Sequence, residues 1–144
     1  MFFSDMVNSG TLPAMEKMLA YTEARHRMLT ENVANADTPG YAAKQLDTKE
    51  FQHALRAAID TGKKDGTELQ VKGSRQFRQD EQGHLMVTPT TEPAGNILFH
   101  DHTNVRIEEQ MAMLAENAMM HQTVTELLRG KFESMLKAIR GTAR

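Results

Sequence analysis

The chain has 144 residues, 40% hydrophobic and 25% charged, with 17 Lys+Arg against 19 Asp+Glu and a formal net charge of -2, the balance of a single soluble domain. No basic block is present to draw a nucleic acid through its phosphates, and with no Cys there are no disulfides, thiolate metal sites or Cys nucleophiles. Aromatic residues make up only 6% and Trp is absent, which leaves few rigid anchors for a ligand pocket and favours a helical interaction protein over an enzyme. Met1 to Asp5 lack the charged and apolar regions of a cleavable secretion signal, and no apolar run approaches the roughly 20 residues that span a bilayer.

Composition divides the chain into two ends and a middle. Ten of the 11 Met lie before residue 37 or after residue 110, whereas five of the 9 Gly and two of the 4 Pro lie between 46 and 103. Good helix formers dominate the ends. The expected organisation is a helix and turn over 1–45, a mixed insert over 46–103 and a long helix over 104–144. The two ends then form one discontinuous helical core.

In the first segment Pro13 suits a first helical turn, and Leu12, Met15, Leu19, Leu29, Val33 and Ala36 recur at helical spacing, interrupted by Thr22 and His26. The helix must stop near Asn35–Thr38. Pro39 pushes its predecessor out of the α region, and Pro39-Gly40 suits the centre of a type II turn. Phe51, Leu55 and Ile59 share a face of a short helix from about Thr48 that ends before Gly62. Beyond it Leu69 and Val71, Leu85 and Val87, and Ile97 and Phe99 alternate with polar residues. Short strands or a hairpin turning at Gly83 fit this pattern, as does a mobile solvated loop over 62–96.

The last segment is the most regular. Ile107, Met111, Leu114, Ala118, His121, Thr125, Leu128, Phe132, Met135 and Ile139 alternate steps of four and three, a heptad stripe. Asn104 is the candidate N-cap, Glu108 and Glu109 fall in the first turns, and Lys131, Lys137 and Arg140 fall near the end, as the macrodipole favours. Met113, Met120, Val124 and Leu127 widen the apolar face beyond what a single partner helix covers. The predicted fold is mainly α: an antiparallel coiled coil of N- and C-terminal helices with a small mixed or irregular insert. In that pairing Thr22, His26, His121 and Thr125 either form a polar layer that fixes register or face outward at imperfect seam positions.

Catalytic or metal chemistry finds little support. Glu23 and His26 have the E-x-x-H spacing of di-iron bundles, but no second such pair completes the set. His100 and His102 share a strand face and, with Asp101 or Glu108, form only a partial zinc ligand set. His53 and His84 stand alone and read as solvated. No nucleophile elbow, phosphate loop or H-E-x-x-H is present, and Asp37 reads as turn chemistry. The expectation is no enzyme, no metal and no cofactor.

The stretch N-V-A-N-A-D-T-P-G-Y, Asn32 to Tyr41, follows the first helix. It is matched near the other end by R-I-E-E-Q-M-A-M-L-A-E-N-A-M-M-H-Q, Arg106 to Gln122, and by Lys131-Phe132 and Leu136 to Ile139. In these motifs the chain resembles the bacterial flagellar axial proteins, specifically the proximal basal-body rod subunit. The resemblance covers Pro13–Asp47 and Asn104–Ile139.

It implies a structural role, with both terminal helices polymerising into the hollow drive shaft. It also implies export through the flagellar type III apparatus without a cleaved signal, and a place in the periplasmic rod of the basal body. The implied partners are copies of itself, other rod proteins, the FliE adaptor and export-gate proteins, with no nucleic acid and no membrane insertion. The seam residues Met15, Leu19, Leu29, Val33, Ile107, Met111, Leu114, Ala118, Leu128, Phe132, Met135 and Ile139 are the candidate subunit-packing set. The turn is Asn32, Asn35, Asp37, Thr38, Pro39, Gly40 and Tyr41. A soluble helical adaptor or export chaperone, or a sister rod subunit, are the competing expectations.

Overall fold

Helix α1 runs Leu12–Ala34, strand β1 is Lys44–Gln45 and helix α2 is Thr48–Asp65; strands β2 (Phe77–Gln79), β3 (Leu85–Val87) and β4 (Thr90–Thr91) follow, and helix α3 spans Ile107–Ile139. The computed structural model describes residues 12–66, 68–91 and 106–141. The protein is mainly helical, and its N- and C-terminal helices pack together around a small stranded insert.

α1 is the centre of the molecule because two of its faces are covered. Met15, Thr22, Arg25, Leu29 and Asn32 fall on a stripe of helical spacing, while Ala14, Lys17, Met18 and Tyr21 reach round its first half. Tyr21 stacks flat on Phe51 of α2 with ring centroids 4.0 Å apart, and Phe51 meets Phe77 of β2 edge-on at 5.4 Å. Tyr21, Phe51 and Phe77 knit the insert to α1, each pair adding about 1 kcal/mol beyond its burial. Leu55, Ala58, Ile59, Leu69, Val71 and Val124 complete this core.

α1 ends as its sequence dictates. The Asn35 amide still bonds Glu31 O at 3.1 Å, the Ala36 and Thr38 amides tighten onto Val33 O and Asn35 O, and Tyr41 N bonds Thr38 O at 3.1 Å. That last bond closes a turn with Pro39 and Gly40 at its centre. Gly40 sits at φ 76°, where any side chain would be strained.

α2 starts at Asp47, whose side chain accepts from Glu50 N at 3.0 Å, and it runs past the expected stop at Gly62 to Asp65. Gly62 has helical neighbours on both sides, and the helix terminates at Gly66, whose φ of 62° and bond to Gly62 O make the left-handed C-cap. Lys63 and Lys64 sit in the last turn, where the macrodipole offsets the weakness of an interior Gly.

The expected hairpin forms, in place of a solvated loop. β2 and β3 are antiparallel with Arg78 opposite Met86, turning through Gly83 at φ 85°. Leu69 and Val71 are buried but belong to no strand. The side-chain amide of Gln79 bonds Val71 N at 2.9 Å and Leu69 O at 3.3 Å, satisfying backbone that would otherwise seek a neighbouring strand. β1 pairs with β4, Lys44 opposite Thr91, a pairing without a local sequence signal because its partners are far apart in the chain. Gln76 ties the pieces together: its Oε1 accepts from Asp47 N at 2.7 Å, and its Nε2 donates to Gln45 O and Thr90 Oγ1. Ile97 and Phe99 lie outside the described residues.

α3 is about 50 Å long. Its N-cap is Arg106, without a side-chain cap bond, so the helix starts later than an Asn104 cap predicts; Asn104 itself lies outside the described residues. Glu108 and Glu109 occupy the first turn and Lys137 the last.

Candidate assembly interface

α1 and α3 run antiparallel, and polar side chains set their register. Thr22 Oγ1 lies 2.9 Å from His121 Nδ1 and donates to Leu19 O at 2.9 Å. Asn117, fully buried, donates to Thr22 O at 2.9 Å, and Arg25 reaches Glu116 at 3.4 Å. Of the four residues expected to form a polar layer, the structure brings Thr22 and His121 together. His26 and Thr125 are exposed, and Thr125 bonds back to His121 O within its own helix. Asn117 and Gln110 are the register partners that a hydrophobic stripe does not flag, since a polar residue in an apolar helix reads as surface.

Asn32 is the most completely bonded side chain at the pair. Its Nδ2 donates to Lys44 O at 2.7 Å and to Gln110 Oε1 at 2.9 Å, and its Oδ1 accepts from Tyr41 OH and Lys44 N, each at 2.9 Å. All four bonding positions of the amide are used, with no exposure. One residue thus binds the end of α1, the returning chain at β1 and the first turn of α3. Asn35 folds back to Glu31 O at 2.9 Å and Thr38 Oγ1 lies 3.4 Å from Asn35 Oδ1, while Asp37, Thr38, Pro39 and Gly40 project into solvent. Burial, and secondarily Glu31, pushes the Tyr41 phenol pKa up. Lys44 is raised chiefly by its hydrogen bond to Glu31 at 2.6 Å.

The contact line on α3 follows Gln110, Asn117, Val124 and Lys131, with Met113, Met120 and Leu127 on one side and Leu114, His121 and Leu128 on the other. Among the candidate packing residues, Met15 and Leu29 are buried, and Leu19, Val33, Leu114 and Leu128 are half-buried. Ala118 is exposed, and so are the large apolar side chains of Ile107, Met111, Phe132, Met135 and Ile139; exposure rises to 79% at Ile139. The heptad stripe therefore lies beside α1 and stays open to solvent along most of its length. Met119 and Leu136 add to the open apolar surface.

Two buried polar atoms have no partner among the described residues, Arg25 Nη1 and Asn117 Oδ1. Asn117 also lines a notch of about 260 Å³ with Glu23, His26, Ala118, His121 and Gln122. Glu23 is committed to Arg27 in the next turn and His26 is exposed. Among the described residues no group of three or more His, Asp or Glu is placed to hold a metal. His100 and His102 lie outside the described residues. His84 does not stand alone: its amide donates to Asp80 Oδ1 at 2.7 Å and its ring lies 3.3 Å from Asp80 Oδ2. Desolvation raises the Asp80 pKa, but these bonds outweigh it and hold the carboxyl below its ordinary value. No described helix is long and apolar enough to cross a membrane.

The fold and this surface define a class: a helical protein whose two ends pair across a small insert, leaving an apolar stripe of the longer helix uncovered. No family model matches the chain. It is similar to the flagellar basal body rod protein FlgB of Bacillus subtilis (strain 168), 25% identical over 134 residues that cover 92% of this chain and 95% of the relative. The FlgB of Yersinia enterocolitica is 25% identical over 139 residues, covering 90% and 93%. That of Aquifex aeolicus (strain VF5) is 27% identical over 128 residues, covering 89% and 91%. The chain is thus FlgB-like along almost its whole length, insert included.

Proposed function

We infer that this chain is a structural subunit of the bacterial flagellar basal-body rod, at the proximal position that its likeness to FlgB suggests. The observation that carries the mechanical part of this reading is the open stripe of α3. Large apolar side chains stand exposed on a single chain at heptad spacing, and burying each against a neighbour is worth on the order of 1–2 kcal/mol. Segments 1–45 and 104–144 form the polymerising unit and 46–103 its insert. Repetition of a contact that does not close on itself builds a helical tube, and Met-rich surfaces adapt to non-identical neighbours in a mixed polymer. The role is mechanical, as part of a drive shaft, and involves no catalysis or cofactor. Its partners are further copies, other rod proteins, the FliE adaptor and the export gate, and it reaches the periplasmic rod without a cleaved signal.

The test is a strain lacking its own copy of this protein, complemented with a tagged chain. Tag in isolated basal bodies at the membrane-proximal axle, with swimming restored, is the expected result. Leu114→Asp/Leu128→Asp is expected to abolish both. A tagged chain that restores swimming yet is absent from purified basal bodies makes it an adaptor or export chaperone.

A further inference from the structure

Charge along α3 is divided in two. From Ile107 to Leu128 the helix carries Glu108, Glu109, Glu116 and Glu126 and no Lys or Arg; from Arg129 to Arg140 it carries four Lys or Arg and only Glu133 against them. The macrodipole accounts for such bias within the first and last turns only, whereas Glu116 and Glu126 lie well inside. Arg25 offsets one of these carboxylates, Glu116, which stays 61% exposed.

Apolar side chains run through both parts: Met111 and Met119 in the acidic one, and Phe132, Met135, Leu136 and Ile139 in the basic one, all between 47% and 79% exposed. The register set by Arg25–Glu116 and Asn32–Gln110 places the start of α1 opposite about residue 130 of α3. The basic part therefore extends beyond described α1. One helix thus presents two surfaces of the same apolar character and opposite charge, displaced along its axis.

We propose that the basic, apolar end of α3 from one copy of this chain packs against the acidic, apolar Ile107–Glu126 part of α3 on a second copy. With the two helices parallel and staggered the contact is heterologous, so each copy keeps one free acidic and one free basic surface and the contact repeats without closing, whereas the same surfaces packed antiparallel would satisfy both ends at once and close as a dimer. Opposite charge sets the axial offset and disfavours the in-register pairing, which would place Glu beside Glu. The proposal rests on the rod-subunit reading and assigns the surfaces through which copies meet.

The absence of native Cys makes cross-linking a clean test. In the full chain carrying Met119→Cys and Leu136→Cys the two thiols are about 25 Å apart along one helix, beyond the Cα separation of about 7 Å that a disulfide bridges. Oxidation is expected to give a ladder of dimers, trimers and higher species, while each single-Cys chain gives monomer. At roughly 1 M salt, where the screening length is about 3 Å, the ladder should fall about tenfold. It should fall equally with Arg129→Glu/Arg140→Glu and return when Glu108→Lys/Glu109→Lys is added.

Monomer alone, dimers that extend no further, dimers from single-Cys chains, or a ladder indifferent to charge reversal would overturn the proposal. So would an intrachain link in a Phe3→Cys/Leu136→Cys chain, which would give the surface to the protein's own first residues. A missing ladder with tag still present in basal bodies removes this contact and leaves the rod reading standing. Tag absent from basal bodies removes the rod reading itself.

Discussion

At the scale of single residues, the amide of Asn32 decides more than any apolar side chain at the helix pair. Replacing it with Leu keeps the forked shape of the side chain but strips partners from Lys44 N, Lys44 O, Tyr41 OH and Gln110. The expected cost is about 2–4 kcal/mol in urea unfolding. Asn32→Asp retains the accepting side and should fall between wild type and Leu. Tyr21 supplies a pH test. Burial raises its phenol pKa, only partly opposed by the bond to Thr48 at 3.2 Å. A raised folded pKa means a stabilising contribution that is complete below the unfolded phenol value of about 10 and is lost as pH climbs through the folded one. Tyr21→Phe should cost about 1 kcal/mol at neutral pH and flatten the alkaline fall in stability, leaving the part that belongs to Tyr41 and Lys44. An alkaline limb identical in the two proteins would count against this assignment. Lys17 shifts the other way, pushed down by burial where it donates to Gly83 O at 3.1 Å.

At the scale of elements, two glycines should respond to alanine with opposite signs. Gly66 closes α2 at φ 62°, and nothing lies within 4 Å of the place a Cβ would occupy, so the penalty of Gly66→Ala is purely conformational, about 1–2 kcal/mol. Gly130 lies inside α3, also with open space around it. Gly130→Ala should stabilise by about 0.5–1 kcal/mol. Thermal melts of the two variants on opposite sides of wild type would bear this out. α2 also shows why sequence pattern places its end too early: an interior Gly weakens a helix without stopping it, whereas a left-handed C-cap stops it at once. Gly62 and Gly66 look alike as letters, and only their backbone conformations separate them.

At the scale of the whole molecule, the stripe of α3 separates folding from assembly. Met135→Asp/Ile139→Asp alters exposed positions and should leave the unfolding free energy of the dilute chain within about 0.5 kcal/mol of wild type, while removing the protein from basal bodies. Val124→Asp, which buries a carboxylate in the core at 0% exposure, should cost about 3 kcal/mol or more and reduce folded protein outright. Equal loss of stability in both would mean that the stripe serves the fold of the single chain.

Local pattern in the sequence alone determined that both ends are helical and that the first helix stops before Pro39 and turns at Gly40, while it left a hairpin at Gly83 open against a solvated loop until the structure paired β2 with β3. These follow from local constraints: apolar spacing, the fixed φ of Pro and the freedom of Gly. The same periodicity could not say which column of α3 meets α1, because several adjacent columns are apolar and repeat every heptad. Asn117 and Gln110 settle it by bonding to Thr22 and Asn32, and polar pairs between distant segments leave no periodic trace. The β1–β4 pairing, the Gln76 and Gln79 clamps and the Tyr21–Phe51 stack are likewise tertiary decisions. Each depends on groups brought together only after the chain has returned on itself, when backbone left unpaired by one element must find its partner in another.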